Sequence, residues 1–335
     1  MPERRLGERL FEVAPDVYRI PLPTDFNVGD INVYFIDGPD AVLIDAGVSG
    51  ERNLSTLAGA LSIINRKIEV VNTLLVTHTH VDHAGGAKTI KEASGCEVFL
   101  HRRARPWLSD PHGRWKRDSP WYSRFMEQSG FGGETLAKFN SHSPMFLRYT
   151  EPCPDLQIVG SGDVLHRAGG RPIAVHEAFG HTTTQIVFQL LDSNILFSAD
   201  HVLAKISANP TMAAPRRGDE SLPPQLSLYQ ESLHRIAELK ASLACPGHGS
   251  CFADIVSRCE AITQHQQRRC TKVLDIVRAQ GPISRKEISR QLFGPMPLTQ
   301  LYLTISEVKA AVELLQYRGD ILAEVKDEVV LFGAA

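Results

Sequence analysis

The chain has 335 residues, of which 43% are hydrophobic and 22% are charged, and its formal net charge at pH 7 is −2. These values are typical of a globular protein with one large domain and room for a second, smaller one. The nearly balanced charge argues against strong nonspecific attraction of the whole surface to nucleic acid or to a membrane.

The sequence carries no sign of export or of membrane insertion. Basic residues near the amino terminus are not followed by an apolar segment, and apolar runs of the length that spans a bilayer are absent. We therefore expect a cytoplasmic protein with no membrane partner. The cysteines form no CxxC pair, so reduced thiols are expected, and Cys245 is expected to be a buried filler. The cysteines are Cys96, Cys153, Cys245, Cys251, Cys259 and Cys270.

The first hundred or so residues alternate between short β-branched segments and segments with helical spacing of apolar residues. Such alternation predicts an α/β fold. The predicted strands span residues 17–22, 31–36, 41–44, 72–77 and 96–100, and the predicted helices span residues 54–64 and 87–93.

The strand predicted at residues 72–77 is apolar enough to be buried on both faces. It ends in the sequence THTHVDHAGG at residues 77–86, which places His78, His80, Asp82 and His83 on a strand-to-helix loop. Ligands of α/β sheets bind at this carboxyl edge. His78 and His80 can clamp one ion while Asp82 and His83 turn toward a second. Imidazole with carboxylate suits zinc, with iron and manganese as alternatives, so the sequence predicts a metal site here.

This stretch resembles the THxHxDHxGG signature of the metallo-β-lactamase-fold hydrolases, which include the glyoxalase II-like branch. Four other segments resemble the remaining motifs of that family, in the family's order. They are VLIDAG at residues 42–47, FGHT at 179–182, FSAD at 197–200 and PGHG at 246–249.

The resemblance implies a four-layer αβ/βα sandwich with two divalent metal ions, zinc first among the candidates, between its two sheets. It also implies hydrolysis by a hydroxide held between the ions, with Asp82 and Asp200 as the catalytic carboxylates. The implied ligands are His78, His80 and His181 for one metal and Asp82, His83 and His248 for the other, with Asp200 bridging them and Asp45 supporting the ligands without binding metal.

Residues 102–154 interrupt the pattern and are predicted to form a lid-like insertion. They contain all three tryptophans, interleaved with arginines. Such a segment can grip an apolar, anionic substrate, or stack and neutralise single-stranded nucleic acid. Alternatively, its aromatic side chains pack in the interior. Trp115 and Arg117 are the candidate substrate contacts in this insertion.

The second half of the catalytic region continues with strands and one long helix. Residues 205–210 come shortly after Asp200 and are expected to border the cleft, where Lys205 or Asn209 can touch substrate, although solvation is the alternative for both. The predicted strands span residues 156–159, 164–165, 172–177, 185–191 and 195–198, and the predicted helix spans residues 223–239.

From about residue 263 the pattern changes to helices at 264–279 and 301–317 and a hairpin at 321–332, and Ser284 to Glu287 form a capping box that opens a further helix. This order predicts a small winged-helix-like domain at residues 263–335 behind a catalytic domain at 1–262, an arrangement that resembles the LACTB2-like subgroup. The helix at 301–317 carries acids as well as bases. A structural role, on the core or in a homodimer, is therefore favoured over DNA binding.

The sequence therefore predicts a metal-dependent hydrolase acting on an ester or thioester bond of a small-molecule substrate. The alternative is a phosphodiesterase or endoribonuclease acting on single-stranded RNA. A noncatalytic sensor is disfavoured because every motif position is filled, and an antibiotic-degrading β-lactamase is disfavoured by Asp82. The sequence contains neither a GxSxG elbow nor a P-loop.

Overall fold

Two β-sheets dominate the structure, a computed structural model that describes residues 3–216 and 218–335. The larger sheet contains β1 (Arg4–Arg5), β2 (Phe11–Ala14), β3 (Val17–Leu22), β4 (Ile31–Ile36), β5 (Ala41–Ile44), β6 (Val71–Leu75), β7 (Glu97–His101) and β8 (Leu156–Val159), in that order. The smaller sheet contains β9 (Val164–Arg167), β10 (Arg171–Glu177), β11 (Ile186–Leu190), β12 (Ile195–Ala199) and β13 (Leu243–Pro246).

The helices of the described residues occupy the outer faces of the sheets, the insertion and the carboxyl-terminal region. None of them is long and apolar enough to span a bilayer. They are α1 (Glu51–Ile63), α2 (Val81–Ala84), α3 (Ala87–Ser94), α4 (Arg105–Ser109), α5 (Pro111–Gln128), α6 (Gly133–His142), α7 (Gln225–Glu238), α8 (Ile255–Gln280), α9 (Arg285–Phe293) and α10 (Leu298–Arg318).

Alternation of side chains along the strands produces two buried layers, one on each face of the larger sheet. In β4, Phe35 joins the cluster formed with α1 and α3, whereas Tyr34 and Ile36 join the cluster formed with the smaller sheet. A third cluster joins the outer face of the smaller sheet to α7 and α8. Because successive strand residues point to opposite faces, strands that are apolar throughout are buried on both sides. The predicted four-layer sandwich is confirmed.

The insertion folds into α4, α5, α6 and a 3₁₀ segment at Ser143–Tyr149. Its aromatic side chains pack against each other: Trp115 stacks on Tyr122 with ring centroids 5.4 Å apart, and Trp121 stacks on Phe125 at 5.2 Å. The same cluster includes side chains of α10. The structure therefore places these aromatics in an interior layer between the insertion and the carboxyl-terminal region.

The carboxyl-terminal region follows the predicted order of helices and hairpin. A three-stranded sheet joins β14 (Ile283–Ser284), β15 (Ile321–Lys326) and β16 (Val329–Ala334) in the described residues. The predicted capping box is present, since Ser284 accepts from the Glu287 amide and Glu287 accepts from the Ser284 amide. The first helix, however, begins at Ile255 because Asp254 caps it. The predicted domain boundary at residue 263 thus lies inside α8, and the winged-helix-like assignment stays a prediction.

Helix α10 also contacts the loop that follows β12. Tyr302 Oη donates to the Met212 carbonyl at 2.7 Å, and the Met212 amide donates to Ser306 Oγ at 3.0 Å. Asn209 Nδ2 donates to the Leu303 carbonyl at 3.3 Å. The carboxyl-terminal region therefore fixes the position of residues 209–212, which approach the site described below.

We expect Ile305→Ala to lower the free energy of unfolding by about 2–5 kcal/mol, since loss of a buried aliphatic side chain leaves a cavity. Ile305 is fully buried where α10 meets the insertion. Chemical denaturation followed by circular dichroism measures the change.

The matched control is Leu303→Ala on the same helix, where the side chain is 44% exposed. Its effect should stay within about 0.5 kcal/mol. Equal effects of the two substitutions would contradict the described packing of α10.

Candidate metal centre

The carboxyl ends of strands from both sheets meet at one edge of the sandwich. Strands β5, β6 and β7 are parallel neighbours, and in the smaller sheet β10 and β12 both run antiparallel to β11 while β13 is parallel to β12. The predicted ligands follow these strands or open α2, which directly follows the His78–His80 loop. They converge as two groups, His78, His80, His181 and Asp200 in one and Asp82, His83 and His248 in the other.

The first group has the spacing of ligands around one ion. His80 Nδ1 lies 3.1 Å from His78 Nε2 and 3.0 Å from His181 Nε2. Asp200 Oδ2 lies 3.7 Å from His181 Nε2. Ligands of a tetrahedral zinc ion, bonded at about 2.0–2.2 Å, are about 3.3–3.6 Å apart. The three imidazoles and the carboxylate therefore have a spacing suited to a single cation.

The second group shares Asp200 with the first. His248 Nε2 lies 3.4 Å from Asp82 Oδ2 and 3.7 Å from Asp200 Oδ2, and His83 Nε2 lies 3.3 Å from Asp200 Oδ1. Among the described residues, His83 Nε2, Asp200 Oδ1 and His248 Nε2 are buried without a hydrogen-bond partner. Buried polar atoms normally have partners. The donor set of both groups therefore fits divalent metal ions.

Hydrogen bonds on the outer side of three imidazoles fix which nitrogen carries the proton. Each partner is a carboxylate or a carbonyl oxygen, which only accepts, so in the neutral imidazole Nδ1 donates and Nε2 presents a lone pair to the site. The pairs are His83 with Asp45 Oδ2 (2.6 Å), His181 with the Asn209 carbonyl (2.7 Å) and His248 with the Asp30 carbonyl (2.9 Å).

Two threonines do the same for the remaining imidazoles. Thr77 Oγ1 donates to Asp45 Oδ2 at 2.9 Å and is thereby oriented to accept from His78 Nδ1 at 3.1 Å. Thr211 Oγ1 donates to a backbone carbonyl at 2.9 Å and lies 3.4 Å from His80 Nε2. Each imidazole is thus oriented from outside with its free nitrogen directed inward.

The charge states of the first ligand group in the free protein also suit cation binding. Burial lowers the pKa of His80 to about 3 and lowers the pKa values of His78 and His181. Burial alone would raise the pKa of Asp200, but His83 and His248 hold it well below its ordinary range. Neutral imidazoles and an ionised carboxylate are the forms that bind metal. Burial alone would lower the pKa values of His83 and His248, but nearby Asp200 raises both, so these two imidazoles release a proton when an ion binds.

Glycines permit the close approach of the segments that carry the ligands. A Cβ at residue 247 would collide with Asp200 and His83, and one at Gly180 would collide with Tyr229. The φ angle of Gly180 is +150°, outside the range that other residues adopt readily. Glycine beside His181 and His248 is therefore a packing requirement of this site.

Sequence reasoning missed several of the supporting groups. Thr77 belongs to the recognised motif, so its position was visible although its role was not. Thr211 and the Asp30 carbonyl belong to no motif and reach the site only through tertiary packing. Buried His201, next to Asp200, bonds to Ser232 Oγ at 2.6 Å and anchors the end of β12 on α7.

The four residues predicted as substrate contacts have different environments. Asn209 orients His181 through its backbone carbonyl, and its side chain bonds to α10. Trp115 is half-buried among aromatics. Arg117 and Lys205 are exposed, and Arg117 lies 3.7 Å from Asp110. Contact of these side chains with substrate stays a prediction.

The fold and the site define a class: an α/β sandwich with a histidine and aspartate metal-binding cluster at the carboxyl edge of its strands. Residues 26–248 match the family model of the Metallo-beta-lactamase superfamily. The chain belongs to this superfamily, which makes it a metal-dependent hydrolase by class.

Similar proteins are spread across bacteria, fungi and animals. The chain is 26% identical over 319 residues to the probable metallo-hydrolase YqjP of Bacillus subtilis, covering 95% of this chain and 97% of that protein. It is 20% identical to the beta-lactamase-like protein 2 homolog of Caenorhabditis elegans, covering 88% and 81%. It is 24% identical to the atrochrysone carboxyl ACP thioesterase of Aspergillus fumigatus, covering 85% and 76%. The predicted LACTB2-like resemblance is confirmed at the level of homology.

Solved structures agree with the fold over nearly the whole chain. A beta-lactamase domain protein from Burkholderia ambifaria superposes with a TM-score of 0.83 at 23% identity, covering 97% of this chain and 94% of that one. A metallo-beta-lactamase family protein from Thermus thermophilus gives a TM-score of 0.81 at 23% identity, covering 96% and 100%. The carboxyl-terminal region is thus part of a shared architecture.

Proposed function

We propose that the chain is a dinuclear metal-dependent hydrolase that cleaves an ester or thioester bond in a small, anionic acyl substrate. One observation carries the dinuclear part: Asp200 lies between the two ligand groups, with Oδ1 toward His83 and Oδ2 toward His181 and His248. A carboxylate with this placement can bridge two cations, and the imidazoles on either side complete two separate ligand sets.

In this proposal His78, His80 and His181 hold one ion, Asp82, His83 and His248 hold the other, and Asp200 bridges them. Zinc suits the mixed imidazole and carboxylate donors, with iron and manganese as alternatives. When bound, such ions would lower the pKa of water to about 7 and would polarise the scissile carbonyl.

The residues around the ligands keep the site preorganised for this chemistry. Asp45, Thr77 and Thr211 hold imidazole rings in place through the hydrogen bonds described above. Because these partners are already in position before substrate arrives, little reorganisation is needed during the reaction. The ligand geometry thus depends on residues that touch neither metal nor substrate.

Two considerations support an acyl bond as the target. A relative that matches 85% of the chain is named as a thioesterase. In addition, Trp115, Trp121 and Tyr122 of the insertion pack against one another and their neighbours, so they make a poor platform for stacking single-stranded bases. We therefore place acyl hydrolysis ahead of the alternative activity on single-stranded RNA.

A cluster of arginines supports the anionic character of the substrate. Arg103 follows β7, and its Nε donates at 2.9 Å to the carbonyl of Thr183, two residues after His181. Arg216 Nη1 donates to the Arg103 carbonyl, which among the described residues is its one side-chain hydrogen bond. Burial, with Arg114 and Arg103 nearby, lowers the pKa of Arg216 to about 10.

The carboxylates near this cluster are already engaged by other groups. Asp219 pairs with Arg103 and accepts from the Arg216 amide at 2.9 Å, and Asp118 pairs with Arg114 at 2.7 Å. The cluster therefore has three guanidinium groups and two carboxylates. We propose that Arg216 binds the anionic group of the substrate.

We expect Arg216→Gln to raise the KM for an anionic ester by about 10–100-fold, since a hydrogen bond to a charged group contributes about 1.5–3 kcal/mol. The KM for a neutral ester with the same leaving group should change little. Steady-state kinetics with the matched pair of esters measures the difference.

Arg124→Gln on α5 is the matched control, because Arg124 is exposed and lies on the same insertion. It should leave both KM values near wild type. If Arg216→Gln raised the KM values for both esters equally, this arginine would have a structural role and would not bind the anionic group.

The proposed function predicts two metal ions per chain and loss of hydrolysis after chelation. Elemental analysis of saturated protein gives the stoichiometry, and thioesters, lactones, aryl phosphodiesters and single-stranded RNA are then assayed with zinc-, iron- and manganese-loaded protein. One ion at saturation, with Asp82 and His248 dispensable, would contradict the dinuclear assignment. Preferential cleavage of RNA would replace the acyl substrate with the alternative.

A further inference from the structure

Two cysteines flank the loop that carries His248. Cys245 lies in β13 and is fully buried, whereas Cys251 is half-buried, and their Sγ atoms are 3.6 Å apart. Five residues, 246–250, separate them. The two thiols are therefore close in space at the base of a short loop.

The backbone register explains this proximity. Ala244 and Phe252 form an antiparallel bridge in which each amide donates to the other's carbonyl, at 2.8 and 3.1 Å. The next pair inward, Cys245 with Cys251, is therefore a non-hydrogen-bonded pair, and the Cys251 amide instead donates to Glu3 at 3.1 Å. In such pairs the Cα atoms are about 4.5 Å apart and the side chains are closest. That separation lies at the lower end of the range that disulfides span, about 4.4–6.8 Å.

From this register and the adjoining thiols we propose that Cys245 and Cys251 are a reversible disulfide site, oxidised by hydrogen peroxide, that controls metal binding by His248. Hydrogen bonds from outside the loop also hold it in position, since Asn32 Nδ2 donates to the Pro246 and Gly249 carbonyls at 3.0 and 2.7 Å. His248 in turn donates to the Asp30 carbonyl.

The two thiols have different roles in the oxidation. Burial, with Cys251 beside it, raises the pKa of the Cys245 thiol well above its ordinary value. Cys251, the more accessible thiol, loses its proton and attacks one peroxide oxygen as the thiolate. The O–O bond breaks, a sulfenic acid forms, and the departing hydroxide takes up the released proton to give water. The sulfur of Cys245 then attacks the Cys251 sulfur, the S–S bond forms and a second water leaves. In sum, two thiols and one hydrogen peroxide give one disulfide and two waters.

Bond formation displaces the loop that holds a ligand. An S–S bond is about 2.05 Å long, so the two sulfurs must approach each other. A disulfide also favours a Cα separation of about 5.5–6 Å, larger than the separation of this pair, so bond formation shifts both ends of the loop. In a well-formed metal site the ligand distances lie within about 0.2 Å of their ordinary values. Oxidation should therefore weaken the ligand group of Asp82, His83 and His248 more than the group of His78, His80 and His181. This coupling depends on the proposed dinuclear site, whereas the disulfide itself does not.

The disulfide is tested first on the metal-free full-length protein. After treatment with hydrogen peroxide, titratable thiols in denaturant should fall from the six of the sequence by two, with peptide mapping linking Cys245 to Cys251. Dithiothreitol should restore them. The link should be absent in Cys251→Ser and should form in Cys270→Ser, which removes a buried cysteine of α8 that packs in the core of the carboxyl-terminal region, away from the loop. Absence of the link in wild type, or links distributed among other cysteines, would overturn the proposal.

The coupling is then tested by metal titration of reduced and oxidised protein, with elemental analysis as the readout. We expect oxidation to weaken binding of one of two ions by at least about tenfold, by analogy with loss of a group that orients a ligand. The Cys251→Ser variant should have the same metal affinity before and after peroxide treatment. Unchanged affinity in the disulfide-linked protein would overturn control of metal binding. If the reduced protein binds only one ion, the dinuclear site is refuted. The disulfide measurement does not depend on that result, because it uses metal-free protein.

Discussion

Asp200→Ala is expected to reduce hydrolysis by at least about a hundredfold while the protein stays folded, because loss of a ligand exceeds the effect of losing a residue that only orients one. The carboxylate lies within 3.7 Å of His83, His181 and His248, so its removal affects both ligand groups at once. The measurement is kcat for the preferred panel substrate, together with metal content.

Circular dichroism and thermal melting separate this effect from unfolding, and Asp25→Ala is the matched control. Asp25 has an exposed side chain paired with Arg52, so its loss should leave turnover and metal content unchanged. Near-wild-type hydrolysis by Asp200→Ala would show that the proposed site is wrong.

Asp45→Asn should lower metal affinity by about 10–100-fold without removing any proposed ligand. The Asp45 carboxylate accepts from the Thr77 amide, from Thr77 Oγ1 and from His83 Nδ1. An amide in its place has one accepting oxygen and directs N–H groups at existing donors. We expect an accompanying loss of about 1–3 kcal/mol in stability from the unpaired buried groups. Metal titration and chemical denaturation measure the two effects.

The backbone provides a matched control for this substitution. Asp45 has a φ of +63°, and exposed Asp16, in the turn between β2 and β3, has a φ of +60°. Asparagine tolerates this conformation, so Asp16→Asn should alter neither affinity nor stability appreciably. If Asp45→Asn also left metal affinity and stability unchanged, the hydrogen bonds of Asp45 with Thr77 and His83 would not be needed to hold the imidazole in place.

Contacts between the carboxyl-terminal region and the catalytic region make a truncation a poor test of either region. Helix α10 bonds to residues 209 and 212 of the loop that orients His181 and His80, and its apolar face covers the aromatic cluster of the insertion. Removing residues 263–335 would also cut α8, which packs on the smaller sheet. Point substitutions such as Ile305→Ala are therefore the informative tests of this interface.

Local sequence determined most of the secondary structure and the position of the site along the chain. The strands predicted at 17–22, 31–36 and 41–44 were found with those bounds. The capping box at Ser284 was also found, because its two hydrogen bonds connect residues only three apart. The helix bounds were less accurate: α8 begins at Ile255 instead of residue 264, because Asp254 supplies a cap before the periodic pattern becomes visible.

By itself, the sequence determined the α/β class, and its motifs identified the side chains that lie together at the candidate metal centre. The class depends on periodicity within short segments, and the full ligand set depends on the resemblance of short motifs to those of a known family. Only the tertiary structure decided which groups orient those side chains, since Thr211 and the carbonyls of Asp30 and Asn209 come from segments with no motif. It also decided that the aromatics of the insertion pack under α10 and that Cys245 lies beside Cys251. The physical reason is that such contacts depend on the relative placement of whole strands and helices, which periodicity within one segment does not specify.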